Sequence, residues 1–408
     1  MLEELMALHA RQLDRVKSPF KRYLYHKINW DYRLIIITGP RGTGKTFMVL
    51  QHFLERYGDI KECLYVSADN PLVLKQGIYA TGAEFFNYGG RCLIVDEVHK
   101  QKDWSIDIKA LFDGYPDKKL IVLGSSTLNI LAEKGDLSRR AMPYSLAPLS
   151  FREFLELTHG EPLESVSVRD LLEGHVKLAG DVGSRFQSIL GDFQDFLEKG
   201  SYPFFLDFEG DDYFRMLDNV MDKVIYEDIQ TLKSLKSFSS VKIKKLLGFI
   251  ATSKIPLFNI EALKREIEVS KETLYEYFDL LDRAGIVKVT RTESKNLRAF
   301  KNSKVLFKSP NIYFSIAHEL WRGDPLKGNI RESFLVSQIP GELQLYSSAE
   351  PDVDFILADG ANRVLIEVGG KNKKMKKGHA ERNVYIFKDG IECGVGTTIP
   401  LFLAGFLY

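Results

Sequence analysis

The first third of the chain alternates short apolar runs with segments of helical spacing. The apolar runs cover residues 33–38, 63–67, 91–95 and 119–123, and the first of them is rich in β-branched side chains. Residues 47–57, after the first run, carry apolar side chains at the spacing of a helix. Runs that are apolar throughout suit strands buried on both faces of a parallel sheet, with helices as the connections. The pattern predicts an α/β fold built on a parallel sheet.

A glycine-rich loop links the first predicted strand to the first predicted helix. It consists of Gly39, Pro40, Arg41, Gly42, Thr43, Gly44, Lys45 and Thr46. Glycines let backbone N–H groups turn inward around phosphate oxygens, and the following helix points its positive end at the same anion. In such a loop Lys45 reaches the β- and γ-phosphates, and the hydroxyl of Thr46 binds Mg²⁺. The flanking strand and helix favour a P-loop (Walker A motif) that binds ATP over a glycine-rich turn with an incidental lysine.

Two acids, Asp96 and Glu97, end the apolar run at 91–95. In a P-loop ATPase the first acid holds Mg²⁺, directly or through water, and the second polarises the attacking water as a general base. Many strands end in an acid, so this Walker B pattern gains its weight from the P-loop upstream. We expect Asp96 to hold Mg²⁺ and Glu97 to be the catalytic base.

Two serines follow the strand predicted at 119–123, directly after Gly124. In an open α/β sheet the ligand lies beyond the carboxyl ends of the strands. A hydroxyl at that edge can hydrogen-bond the γ-phosphate or the attacking water. Ser125 and Ser126 are therefore candidates for this sensor role, and the alternative is an ordinary helix cap or turn.

Several motifs spread over nearly the whole chain point to one family. They are Pro40-Arg41, residues 96–100 with Trp104, residues 124–126, residues 137–141, residues 146–154 and residues 197–203. Together they resemble AAA-superfamily ATPases of bacteria and archaea, in which the ATPase precedes a C-terminal domain of uncharacterised function. The resemblance implies an ATP hydrolase that uses Mg²⁺.

The resemblance also implies an arginine finger, which neutralises charge on the γ-phosphoryl oxygens and often comes from a neighbouring subunit of a homo-oligomer. The family pattern has Gly-Arg at this point, whereas this chain has Ser138, Arg139 and Arg140. Either arginine fits, and Arg140 is slightly favoured. The alternative is two solvated arginines that pair with surface acids.

Helical spacing dominates the middle of the chain, where a helical lid is followed by a segment that resembles a winged helix. In that segment helices are predicted at 241–250, 259–269 and 271–284, and strands at 286–291 and 303–308. Acids dominate the third helix, which makes it a poor reader of a groove lined by phosphates. The hairpin is basic, with Lys288, Arg291, Lys295, Arg298, Lys301, Lys304 and Lys308 against one acid, Glu293. Backbone contact with DNA through this wing and a packing module with a solvated hairpin are the alternatives.

The C-terminal part turns from helical spacing to strand-like runs. Glu332 lies in a helical stretch, Asp354 in one strand-like run and Glu367 in the next. Three such acids can converge on one Mg²⁺, and the layout resembles the PD-(D/E)XK nuclease fold. That motif has a lysine two residues after the glutamate, where this chain has Gly369, and Lys371 follows further on. We expect a nuclease-like fold with catalysis lost or altered; active cleavage and phosphate-backbone binding are the alternatives.

Length and composition limit the classes of protein and of partner that fit this chain. The 408 residues, 45% of them apolar and 27% charged, fit a globular protein with predicted domains at 1–158, 159–239, 240–310 and 311–408. A net charge of +1 demands neither nucleic acid nor a membrane surface as partner. The three cysteines lack metal-ligand spacing, and no window reaches the roughly 20 apolar residues of a membrane span. We expect a cytoplasmic protein.

Three functions remain as hypotheses, and all three include ATP binding. The first is an AAA-type ATPase whose nucleotide state drives the C-terminal modules, acting on DNA or on a protein partner. The second is an ATP-regulated, Mg²⁺-dependent nuclease that uses Glu332, Asp354 and Glu367. The third is a nucleotide-switch scaffold that does not hydrolyse ATP.

Overall fold

Two compact units make up the chain. The computed structural model describes residues 1–124, 137–229, 239–254, 260–293, 303–320, 323–360, 362–376, 378–379 and 381–408. Unit 1 comprises Met1–Ala147 and Glu227–Lys233, and unit 2 comprises Pro148–Tyr226 and Ser234–Tyr408. Every helix within the described ranges is too short or too polar to span a bilayer. The four domain boundaries given above stay predictions.

A five-stranded parallel sheet forms the centre of unit 1. Its strands are β1 (Leu34–Thr38), β2 (Cys63–Ser67), β3 (Cys92–Asp96), β4 (Lys119–Leu123) and β5 (Met142–Ser145). They lie in the order β2-β3-β4-β1-β5, and every neighbouring pair is parallel. The α/β fold predicted from the apolar runs is confirmed. The pattern missed β5, a short edge strand whose half-exposed side chains form no apolar run.

Two hydrophobic cores flank that sheet. The helices of unit 1 are α1 (Leu2–Leu13), α2 (Tyr23–Lys27), α3 (Lys45–Arg56), α4 (Pro71–Gln76), α5 (Ile78–Asn87) and α6 (Trp104–Gly114), with a 3₁₀ turn at Val98–Lys100. Successive residues of β1 point to opposite faces. Ile35 belongs to the core that contains Phe53 of α3, and Ile36 belongs to the core that contains Trp104 of α6. Burial on both faces explains why these strands are apolar throughout.

Helices also form the first part of unit 2. They are α7 (Phe151–His159), α8 (Val168–Arg185), α9 (Ile189–Lys199) and α10 (Gly210–Lys223), with a 3₁₀ turn at Pro203–Leu206. A π-helical turn at Val224–Ile229 begins in unit 2 and ends in the second segment of unit 1. A capping box starts α7, because Ser150 accepts from the amide of Glu153 and the Glu153 carboxylate accepts from the amide of Ser150. The ring of Phe151 packs on Phe193 and Phe402, with centroids 5.3 and 6.2 Å away. Residues near the C-terminus thus share a core with α7.

Each element predicted for the winged-helix-like segment is present. These elements are α11 (Ser240–Thr252), α12 (Ile260–Ile267), α13 (Lys271–Arg283), β6 (Val287–Thr290) and β7 (Lys304–Phe307). β6 and β7 pair antiparallel. Strand β7 is buried along its length, so Lys304 is not part of a solvated hairpin. The basic residues Lys295, Arg298 and Lys301 lie outside the described residues.

A second five-stranded sheet, in the order β12-β11-β10-β9-β8, follows in unit 2. Its elements, with the two preceding helices, are α14 (Asn311–Leu320), α15 (Lys327–Ser337), β8 (Gln344–Ser347), β9 (Phe355–Asp359), β10 (Asn362–Gly369), β11 (Val384–Lys388), β12 (Thr398–Pro400) and a 3₁₀ turn at Leu401–Phe406. β8, β9 and β10 are antiparallel, whereas β10, β11 and β12 are parallel. Glu332 lies on α15, Asp354 directly before β9 and Glu367 on β10.

Candidate functional site

The glycine-rich loop turns sharply between β1 and α3. Gly42 and Gly44 have φ angles of 76° and 88°, in the left-handed region that favours glycine. A Cβ at Gly39 would lie 2.3 Å from the carbonyl oxygen of Leu146. Glycine is therefore required for the turn at two positions and for close backbone approach at a third. Helix α3 begins at Lys45, which sets the positive end of its dipole at the loop.

The ammonium group of Lys45 lies inside this loop. Its side chain is buried, and Nζ donates to the carbonyl oxygens of Gly39 and Pro40 at 2.9 and 2.8 Å. Burial lowers the pKa of Lys45 to about 8, although the carboxylates of Asp96 and Glu97 act in the opposite direction. A phosphate oxygen carries a full negative charge, whereas a carbonyl oxygen carries only a partial one, so it attracts an ammonium group more strongly. A phosphate would therefore be a better partner for this ammonium than the carbonyls.

Asp96 lies at the end of β3, opposite the start of α3. One carboxylate oxygen accepts from the hydroxyl of Thr46 at 2.5 Å and from the hydroxyl of Tyr65 at 3.0 Å. The other accepts from the amide of Glu97 at 2.7 Å. Burial, followed by repulsion from Glu97, raises the pKa of Asp96. The contact of Tyr65 with Asp96 was not predicted from the sequence. The one indication was a hydroxyl group within the apolar run that forms β2, the strand paired with β3.

Glu97 has a left-handed backbone, with φ of 48°, and its carboxylate is partly exposed. Its Oε2 lies 3.3 Å from Nε2 of His99 and 3.7 Å from Nη2 of Arg41. Burial lowers the pKa of His99 to about 4 against the pull of Asp228, so this imidazole is neutral at pH 7. The ring beside the expected general base is therefore an uncharged neighbour at neutral pH.

Arg41 points at two acids that the sequence analysis did not connect with the loop. Its guanidinium donates from Nε and Nη2 to both oxygens of Asp228, at 3.1 and 3.0 Å. Glu227 lies 3.7 Å from Arg41 and 2.6 Å from the ammonium of Lys100. No local pattern signals this contact, because Asp228 follows Arg41 by 187 residues.

The structure describes the two arginine-finger candidates but not the two sensor serines. The amide of Gly124 donates to the carbonyl of Ile37 at 3.2 Å, so the end of β4 adjoins the end of β1. Ser125 and Ser126 lie outside the described residues. Arg140 donates to both oxygens of Asp113, at 2.9 and 3.0 Å. Arg139 is exposed.

The residues around Asp96 fit a magnesium ion that is shared with a nucleotide. In P-loop ATPases such an ion takes one hydroxyl and one acid from the protein, and its other ligands are phosphate oxygens and water. Thr46 and Asp96 supply that pair at hydrogen-bond distance. A cation at this carboxylate would offset both its burial and the repulsion from Glu97. In the described part of the chain, no group of three or more His, Cys, Asp or Glu residues is arranged to hold a metal by itself.

Unit 2 holds a second concentration of charge, here called the acid–lysine cluster: Glu332, Asp354, Glu367, Lys304, Lys373 and His379. Nζ of Lys304 lies 2.8 Å from Oε2 of Glu332 and 2.8 Å from Oδ1 of Asp354. The other oxygen of Asp354 accepts from the amide of Val368 at 2.8 Å. One ammonium group therefore joins two of the three acids that were predicted to converge.

Glu367 has partners of its own within the cluster. Its carboxylate is buried, contacts the ammonium of Lys373 and lies 3.5 Å from Nδ1 of His379. The lysine that reaches Glu367 is thus Lys373, and not Lys371 as considered from the sequence. No lysine follows on the same strand, since β10 ends at Gly369, where a Cβ would lie 2.5 Å from Cγ of Lys373.

Burial shapes the protonation of the acid–lysine cluster. It raises the pKa of Glu332 to about 7, although the ammonium of Lys304 acts against this shift. For Lys304 burial opposes the charge, but the two carboxylates outweigh burial and raise its pKa. Lys304 therefore stays charged at pH 7 and holds the two acids together.

Two families match separate parts of the chain. Residues 31–155 match the family described as an AAA domain. Residues 190–315 match a family described as a domain of unknown function, DUF8612. The first match covers the glycine-rich loop and the acid pair. Together with the parallel sheet, it gives this part of the chain a P-loop AAA fold. Neither match reaches Glu332, Asp354 or Glu367.

Relatives and solved structures extend the comparison. The chain is 28% identical over 388 residues to the uncharacterized protein MJ1637 of Methanocaldococcus jannaschii. The aligned region covers 89% of this chain and 80% of that protein. The Walker-type ATPase PABY2304 of Pyrococcus abyssi is 11% identical with a TM-score of 0.37, over 73% of this chain and 98% of that one. The ORC1 protein of Aeropyrum pernix, in complex with DNA, is 14% identical with a TM-score of 0.28, over 78% and 91%. Both TM-scores lie below 0.5, so neither structure establishes the fold of this chain.

Proposed function

We propose that this chain, whose N-terminal region has a P-loop AAA fold, binds ATP with Mg²⁺ and hydrolyses it, so that its nucleotide state switches the C-terminal modules. One observation carries the proposal. The hydroxyl of Thr46 lies 2.5 Å from the buried carboxylate of Asp96, beside the buried ammonium of Lys45. A hydroxyl, an acid and an ammonium in that arrangement match the needs of a triphosphate and its magnesium ion.

Each residue has a distinct role in this proposal. The loop from Gly39 to Gly44 surrounds the phosphates with backbone N–H groups, and Lys45 binds the β- and γ-phosphates. Thr46 and Asp96 hold Mg²⁺, which when bound supplies charge neutralisation between the phosphates. Glu97 accepts the proton of the attacking water, and Ser125 or Ser126 orients that water or the γ-phosphate.

An arginine finger completes the proposed site, and the paired side chain of Arg140 changes which residue we favour. Arg140 is held on both oxygens of Asp113, whereas Arg139 is exposed. A finger that acts on a neighbouring subunit of a homo-oligomer must project from the surface. We therefore favour Arg139, which the sequence analysis ranked second.

Two substitutions test the proposal against the non-hydrolysing scaffold. Lys45→Ala should weaken ATP binding about tenfold or more, because a charge-assisted contact with phosphate is lost. Glu97→Gln should keep ATP binding and lower turnover by about 10²- to 10⁴-fold. Glu62→Gln is the matched control, because this acid is exposed and pairs with Arg91. Unchanged ATP affinity in the first variant would remove the binding site, and unchanged turnover in the second would remove the catalytic base.

A second candidate function belongs to the acid–lysine cluster, and the position of Lys304 favours it. The nuclease motif lacks its lysine at Gly369, but Lys304 brings an ammonium group within 2.8 Å of both Glu332 and Asp354. We propose that Mg²⁺ on the acids of this cluster would let it bind the phosphate backbone of DNA, because the three carboxylates outnumber the two lysines paired with them. Mg²⁺-dependent cleavage there is the stronger form of this function.

Plasmid DNA tests this second function directly. Incubation with Mg²⁺ or Mn²⁺, with and without ATP, should nick the plasmid if the cluster cleaves, and Asp354→Ala should abolish the nicking. Asp352→Ala is the control, since Asp352 is a neighbouring acid that pairs with Lys376 at the surface. Plasmid that stays intact under all conditions rules out cleavage. DNA-stimulated ATP turnover that fades with rising salt would support backbone binding, whereas no stimulation would point to a protein partner.

A further inference from the structure

Three carboxylates compete for one guanidinium beside the proposed catalytic base. Among the described residues, Arg41 has Asp228 at 3.0 Å, and Glu97 and Glu227 both at 3.7 Å, all measured from Nη2. Only Asp228 engages Arg41 with both oxygens. The bidentate geometry makes Asp228 the strongest of the three partners. It holds Nη2 of the guanidinium 3.7 Å from Glu97, which is an ion-pair distance but too long for a hydrogen bond.

The side chains of Arg41 and Asp228 are largely buried, so the loss of one would leave the other charge without solvent. The side chain of Asp228 is 2% exposed and that of Arg41 14%. A guanidinium in such surroundings cannot turn to bulk water if its partner is removed, because an unpaired buried charge is strongly unfavourable. The nearest remaining anions are Glu97 and Glu227, and Glu227 already pairs with Lys100 at 2.6 Å. Glu97 is therefore one of the two anions that Arg41 would approach next.

A direct hydrogen bond from Arg41 to Glu97, closer than the present 3.7 Å, would impair the proposed base. That bond would turn the carboxylate toward Arg41 and away from the attacking water. His99 lies 3.3 Å from Glu97 and 3.7 Å from Asp228. Because its ring is neutral, it cannot take over the charge of Asp228 as a partner of Arg41.

We propose that Asp228 is a positioning residue for ATP hydrolysis: it binds Arg41 and thereby keeps Glu97 available to polarise water. This role rests on the proposed ATPase function and adds to it a residue from outside the AAA-matched segment 31–155. Asp228 acts through Arg41, so the removal of Arg41 should relieve the defect that the loss of Asp228 causes. That dependence separates positioning from a simple contribution to folding.

The experiment measures ATP turnover and ATP affinity of the full-length protein in four forms: wild type, Asp228→Asn, Asp228→Asn with Arg41→Gln, and Glu227→Gln. Asp228→Asn should lower kcat about tenfold or more, with KM changed by no more than about twofold. The double variant should recover at least about half of that loss on a logarithmic scale, because the guanidinium that captures Glu97 is gone. Glu227→Gln, which also removes one negative charge beside Arg41, should change kcat by less than about threefold.

Three results would overturn the proposal. The first is a kcat for Asp228→Asn equal to that of the wild type. The second is a double variant no more active than Asp228→Asn although it binds ATP and unfolds at the wild-type temperature, which would make the role of Asp228 structural. The third is a wild type that does not hydrolyse ATP, which would overturn the ATPase function as well. The first two leave that function intact. The double variant leaves no unpaired buried charge, so the test stays informative even if Asp228→Asn folds poorly.

Discussion

Replacing Asp96 with asparagine should make the protein more stable and less active at once. The carboxylate is 3% exposed, and burial together with Glu97 raises its pKa. A raised pKa means that the charged form is less favourable in the folded chain than in the unfolded chain. Asparagine has nearly the same shape without the charge. We therefore expect Asp96→Asn to remove an unfavourable charge from the folded state.

The hydrogen bonds of Asp96 can survive this exchange, so the lost charge should dominate. The amide oxygen of asparagine can accept from the N–H of Glu97, as the carboxylate does at 2.7 Å. Its NH₂ group can donate to the hydroxyls of Thr46 and Tyr65, since a hydroxyl both donates and accepts. Stabilising substitutions at functional sites commonly add about 0.5–2 kcal/mol. We expect about 1 kcal/mol at neutral pH, or about 2–4 °C in melting temperature for a unit of this size.

The gain should depend on pH with a definite sign. Well below the ordinary Asp pKa of about 3.9, the carboxyl is protonated in both states, and wild type and variant should be equally stable. As pH rises through that value the unfolded chain ionises first, because the folded pKa is raised, and the wild type loses stability. The loss ends once the folded form has ionised too. Asparagine does not titrate, so its advantage appears over this window and remains at neutral pH.

Calorimetric unfolding at about pH 2.5 and about pH 7.5 measures the effect in the two regimes. ATP turnover of the variant should fall by about 10²-fold or more, because the acid that holds Mg²⁺ is lost. Saturating MgATP should reverse the order of melting temperatures, since it stabilises the protein that binds it better. A variant that melts below the wild type at neutral pH without nucleotide, or an equal gain at both pH values, would refute the reasoning.

Three further predictions concern neighbouring contacts. Tyr65→Phe removes one hydrogen bond to Asp96 and should lower the free energy of unfolding by about 1 kcal/mol, with a smaller loss of turnover than Asp96→Asn; equal losses would contradict this. Arg139→Ala should lower ATP turnover about 10³-fold, whereas Arg140→Ala should change stability by less than about 1 kcal/mol and turnover little; the reverse order would restore Arg140 as the finger. Lys304→Met leaves two partly buried carboxylates facing each other. It should destabilise unit 2 at pH 7.5 in urea unfolding by less than the about 3–5 kcal/mol of a fully buried pair, and by still less at pH 5, where the Glu332 carboxyl is protonated; a loss independent of pH would point to packing instead.

The nucleotide-binding part could be predicted from sequence because its signals are local. Strands β1 to β4 coincide with the apolar runs to within a residue at each end, since a strand covered on both faces must be apolar throughout. Gly42 and Gly44 indicate the loop in the sequence because glycine is favoured at the left-handed backbone angles that both residues adopt. Asp96 is the last residue of β3, and the end of that apolar run together with the P-loop upstream was enough to predict its role.

The remaining features depend on which distant segments meet, and a linear pattern carries no such information. The partner of Arg41 is Asp228, and the ammonium that joins Glu332 to Asp354 is that of Lys304 on β7. In the sequence, Asp228 belongs to a segment of helical spacing and Lys304 to a basic hairpin, and neither position indicates these partners. Charge alone does not specify a partner, because the strength of an ion pair depends on burial and geometry more than on residue type.

The sequence by itself therefore predicted four of the five strands of the parallel sheet, the glycine-rich loop and the acid at the end of β3, because each of these features depends on a few consecutive residues. Tertiary structure alone decided that Asp228 holds Arg41 beside Glu97, and that Lys304 rather than a lysine near Gly369 reaches the acids of unit 2. The physical reason is that backbone conformation and strand burial follow local composition, whereas the environment of a buried charge is set by every segment that folds around it.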